Sequence, residues 1–128
     1  MNGFHAGPFD AGVQESEVWL RSMMHYLGTE DRQVAYLALR ATLHALRDRF
    51  EPEDAARLGA RLPMALRGVY YEAWQGDGFK GNGSRPQTFI ARVCEGIPGD
   101  SGVDPVVAAR ATAALLHERL SPLEPPQE

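Results

Sequence analysis

The sequence predicts an all-α bundle of six helices. Three observations carry that expectation: apolar residues recur at spacings of three and four, acids and prolines stand where helices would start, and no run alternates as a half-buried strand would. Short β-branched pairs such as Val106-Val107 lie inside longer helical patterns.

Residues 1–13 hold four glycines or prolines without helical periodicity, which predicts a mobile N-terminal arm. Trp19, Leu20, Met23, Met24 and Leu27 then set the stripe of a first helix from about Gln14 to Leu27, ended by Gly28. Thr29, with Glu30 and Asp31 behind it, reads as the cap of a second helix running to about Arg49. Its seam is Tyr36, Leu39, Leu43, Leu46 and Phe50. Glu51-Pro52-Glu53-Asp54 starts a third helix, about Pro52 to Arg61, and Pro63 restarts the chain into a fourth that reaches Trp74. Residues 75–85 are glycine-rich and predict a linker. A fifth helix opens at Pro86 or Gln87 and runs to about Ile97, and Asp104-Pro105 opens a sixth that ends near Leu120. Three prolines in 121–128 close the ordered part as a tail.

At 128 residues, 44% hydrophobic and 23% charged, the chain has the make-up of one soluble domain rather than of a large catalytic assembly. Acidic residues outnumber basic ones, 17 to 13, and the net charge of -4 argues against a dedicated nucleic-acid or anionic-membrane binder. Twelve of the 13 basic residues are arginine, with Lys80 the exception, a skew that GC-rich coding explains before chemistry does. One cysteine, Cys94, precludes an intramolecular disulfide and a cysteine-rich zinc site, so the expected setting is the cytoplasm. Neither a signal peptide nor an apolar run of membrane-spanning length is evident.

Sliding the chain against itself by 70 residues places Arg40-Ala41-Thr42 on Arg110-Ala111-Thr112, Leu46 on Leu116, Arg49 on Arg119 and Pro52 on Pro122. The same shift puts Trp19 on Phe89, Leu20 on Ile90, Met23 on Val93 and Leu27 on Ile97. An ungapped match of apolar stripes along two helices points to a repeat. The expected organisation is therefore a first unit of four helices over 14–74, the linker, and a truncated second unit of two helices over 86–120.

The runs Gly28-Thr29-Glu30-Asp31-Arg32, Ala35 to Ala41, Leu43 to Arg49, Leu62-Pro63-Met64 and Tyr70-Tyr71-Glu72-Ala73-Trp74 give the chain a specific likeness. Over roughly Val18 to Pro122 it resembles the bacterial family of domains of unknown function numbered 2267. The resemblance implies an all-α protein of two repeated helical units, with no established activity and no assigned catalytic residues. Members of the family usually continue the second unit into a further acidic, leucine-rich helical stretch, and this chain departs from them there.

No motif demands a cofactor. Gly76, Gly78 and Gly81 spell G-x-G-x-x-G, but they follow a helix instead of a strand, and the segment lacks the Ser or Thr of a Walker loop and the ligands of a calcium loop. His5, His25, His44 and His117 form no metal-ligand pair on one helix and are expected to be solvated or at helix flanks. Cys94 falls on the apolar stripe and reads as a small core residue rather than a nucleophile, and no serine sits in an elbow motif, so no catalytic residue is assigned.

Two groups remain. Arg40, His44 and Arg47 share one strip of the second helix and could clamp an anion, although a boundary arginine paired with an acid on a neighbouring helix explains them more simply. Met64, Arg67, Tyr71 and Trp74 lie opposite the core stripe Leu62, Leu66, Val69, Tyr70 and Ala73 of the fourth helix. Either that helix is sandwiched, or the face meets a partner, since tyrosine, tryptophan and arginine are enriched in binding hot spots. The expected function is a non-catalytic protein-interaction module that self-associates through this face. The alternative is a pocket between the two units for an acidic small molecule, lined by Tyr70, Tyr71, Trp74, Arg40 and Arg47, with or without catalysis; nucleic-acid binding by the arginine strip ranks below both.

Overall fold

In the computed structural model, which describes residues 7–74 and 88–120, the chain forms six α-helices: α1 (Pro8–Leu27), α2 (Arg32–Arg49), α3 (Pro52–Gly59), α4 (Met64–Tyr71), α5 (Phe89–Gly96) and α6 (Pro105–Leu120). Among the described residues there is no strand, and the all-α fold is as the periodicity requires. All of the predicted linker and all of the predicted tail lie outside the described residues, as do residues 1–6 of the predicted arm.

The largest departure is at the start. α1 begins at Pro8, so the later part of the predicted arm is helical. Proline is suited to the first turn of a helix, because its missing N–H has no acceptor there in any case. Gly12 is there for contact, since a Cβ at that position would stand 2.8 Å from Cβ of Met64 on α4. At the other end Gly28, with φ 76°, returns its N–H to the carbonyls of Met24 and His25, the expected glycine stop.

α2 is capped by Asp31 and not by Thr29: the Asp31 carboxylate accepts from the N–H groups of Gln33 and Val34, while Thr29 Oγ1 accepts from Asp31 itself. α4 is shorter than predicted, ending at Tyr71, and Ala73 beyond it has φ 58°. Thr88 caps α5 through Ala91 N–H, and Asp104 caps α6 through Val106 N–H.

The core is continuous. Trp19, Leu20 and Met23 of α1 meet Ala35, Ala38, Leu39, Ala41, Leu43 and Ala45 of α2, and the same cluster takes in Leu66 and Tyr70, Val93 and Ile97, and Ala108, Ala111 and Leu115. α2 is central, packing on every other helix; α5 lies on α2, α1 on α6, and α2 and α6 touch each other. Truncating any fully buried leucine here, such as Leu39, Leu43 or Leu115, removes about 2–5 kcal/mol of stability. Cys94, expected in the core, is exposed, because Val93 and Ile97 take the inward side of α5 instead. No helix of the described residues is long and apolar enough to cross a membrane.

Candidate functional site

A helix of eight residues such as α4 leaves half its carbonyls without an intrahelical donor, and α4 has no side-chain cap of its own at its start. α2 supplies the donors from outside. His44 Nε2 lies 2.8 Å from the Val69 carbonyl oxygen, which can only accept, so Nε2 carries the proton and donates. Arg47 Nη1 donates to the carbonyls of Tyr70, at 2.9 Å, and of Glu72. One turn back, Arg40 Nε pairs with Glu72 Oε1 at 3.0 Å, and the same carboxylate oxygen is 3.7 Å from His44 Nε2.

Arg40, His44 and Arg47 come together, but they face the negative end of α4 and the carboxylate of Glu72. Arg47 is only 5% exposed and His44 8%. Burial pushes the His44 imidazole below its ordinary value, helped by the Arg47 and Arg40 charges and opposed by the Val69 carbonyl and Glu72. Of the two settings expected for the histidines, solvated or at a helix flank, His44 is not solvated, since its ring covers the end of another helix. Asp48 completes the cluster: Oδ1 accepts from Arg47 Nε at 3.0 Å and Oδ2 from Arg92 Nη2 of α5 at 2.8 Å. Sequence reading passed over Glu72, Asp48 and Arg92; the charged spacing on each helix was visible, but which helices would meet was not.

The other strip of candidates is divided. Met64 is 41% exposed and Arg67 is exposed, though Arg67 Nη2 donates to the Leu62 carbonyl at 3.0 Å and so holds the turn between α3 and α4. Tyr71 is half-buried, its ring lying over Gly59 so closely that a Cβ there would overlap the phenol. Trp74 is half-buried too, with its ring centroid 5.2 Å from that of Tyr71. Its indole Nε1 is buried without a hydrogen-bond partner among the described residues. Tyr70 is wholly inside, donating its hydroxyl to the Ala55 carbonyl at 2.8 Å, and burial pushes that phenol far above its ordinary range.

Two cavities lie elsewhere. One, of about 350 Å³, is bounded by Leu27, Thr29, Asp31 and Val34 on one side and by Ser101 to Asp104 and Val107 on the other. A smaller one, of about 130 Å³, lies between α1, α2 and α4 beneath the Arg32–Glu17 ion pair. Among the described residues no three His, Cys, Asp or Glu side chains come together in a way that could hold a metal ion.

A family model described as uncharacterized conserved protein (DUF2267) matches residues 16–127. The chain belongs to this family. Nearly all of the described DUF2267 fold lies inside the match, from the middle of α1 through α6, so the clamp on α4 and both cavities are built from residues the family model covers. No curated protein matches the chain.

Proposed function

We propose that this DUF2267 member is a non-catalytic helical binding module that self-associates through the outer face of α4. The observation that carries the reading is the fixed Tyr71–Trp74 ring pair, 5.2 Å between centroids, beside the exposed Met64 and Arg67. Aromatic, methionine and arginine side chains are over-represented at interface centres, and groups held in place beforehand lose less entropy on binding. Here α2 does the holding, because His44 and Arg47 fix the Val69 and Tyr70 carbonyls in the last turn of α4, one turn before Trp74. The free thiol of Cys94 supports a reducing, cytoplasmic setting.

The same reading takes the two helical pairs as a duplication, α1–α2 and α5–α6. It is supported by burial at the offset of 70: Met23 and Val93, Ala38 and Ala108, Ala41 and Ala111, and Thr42 and Thr112 are all buried. The packing is reciprocal as well, α1 on α6 and α5 on α2.

Light scattering on the parent and on Met64→Asp tests self-association. The parent is expected to show a mass above that of one chain at high micromolar concentration, and Met64→Asp the mass of one chain with unchanged helical content. A parent that stays monomeric overturns the proposal. Met64 is the better probe because Tyr71→Ala would also empty the space over Gly59.

A further inference from the structure

The larger cavity exists because α6 starts late. The shift of 70 residues that superposes the two helical pairs in sequence carries Arg32, the first residue of α2, onto Gly102, yet α6 begins only at Pro105. Gly102 has φ 78°, a backbone state that glycine accepts readily, and proline at 105 suits a first helical position. Residues 102–104 are thus held out of the helix where 32–34 lie within it, and the missing turn leaves a space of about 350 Å³. That is within the range of about 300–1,000 Å³ for small-molecule sites.

We propose that this cavity binds a small alkylammonium ion. Its walls include the aliphatic side chains of Leu27, Val34, Val103 and Val107, which suit a short alkyl chain. Among the described residues, the charged side chains of its lining are Asp31 and Asp104, and none is basic. Each aspartate caps its helix through Oδ1, Asp31 to Gln33 and Val34 and Asp104 to Val106, so Oδ2 of each is outside the cap. Two carboxylates less about half a positive charge from each helix start leave a net of about one negative charge, which matches a single ammonium group. The same sum disfavours a carboxylate or phosphate ligand. This site is separate from the α4 face, and neither proposal depends on the other.

The test is an NMR titration with n-butylammonium chloride at constant ionic strength, with n-butanol and sodium butyrate as matched neutral and anionic controls. Saturable shifts are expected at the amides of Leu27, Val34, Val103 and Val107 with the ammonium alone. The double variant Asp31→Asn, Asp104→Asn keeps both caps, since asparagine caps as well as aspartate, and is expected to weaken binding about fivefold or more. Val107→Trp fills the space and is expected to abolish it. Absence of shifts, equal shifts with n-butanol, or a double variant that binds like the parent would each overturn the proposal.

Discussion

The two ends of α2 are built on opposite plans. At its start Asp31 bonds to its own helix, Arg32 reaches α1 only through an exposed pair with Glu17, and a cavity of about 350 Å³, walled in part by Leu27, Val34, Val103 and Val107, stands open beside it. Toward its other end His44, Arg47 and Asp48 reach across to α4 and α5, and every one of them is engaged by another element. Polar groups turned on their own backbone leave atoms and space for something else, whereas polar groups turned on a neighbouring helix are consumed by the fold. Charge alone does not separate the two, since the arginine-rich end is the closed one.

The comparison breaks most readily at Arg47. Arg47→Met keeps the aliphatic stem but strips the Tyr70 and Glu72 carbonyls of their donor and leaves Asp48 with Arg92 alone. Losing one member of a buried charged cluster is expected to cost about 3 kcal/mol in urea unfolding. Arg40→Met removes a half-exposed pair with Glu72 and is expected to cost under about 1 kcal/mol. Equal losses for the two would mean that the closed end is a surface ion pair and no more.

A smaller effect is expected from pH. His44 has its affinity for a proton lowered by burial, with Arg47 and Arg40 acting the same way and Val69 and Glu72 against it. The unfolded chain therefore takes up the proton first, and stability falls as pH drops below the ordinary histidine value of 6.5, continuing down to the lowered folded value. His44→Asn is expected to flatten the slope of unfolding free energy between neutral pH and pH 5, roughly the histidine range. An unchanged slope in the variant would place the titrating group elsewhere.

How much of this was legible beforehand follows from the range of each interaction. Helix number, the Gly28 stop and the Asp104-Pro105 start depend on neighbours in sequence, and all three were readable. Gly12 was misread because its purpose is contact with Met64, more than fifty residues away, and Cys94 because neighbouring positions of a short helix divide between core and solvent. Arg40, His44 and Arg47 share one strip by spacing alone, but a strip states only what could be bound. That the ligand would be the end of α4 depended on where a helix of eight residues docks.

The smallest expected effect, that of Asp104→Asn, bears on the open end. Asp104→Ala removes the acceptor of the Val106 N–H and is expected to lower stability by about 1 kcal/mol, whereas Asp104→Asn should cost nearly nothing because the amide oxygen caps in the same way. Thermal unfolding of both variants separates the cap from the charge. If asparagine costs as much as alanine, the fold needs the negative charge itself at the start of α6. The acids at the open end of α2 would then be consumed by the fold just as those at the closed end are, and the contrast between the two ends would vanish.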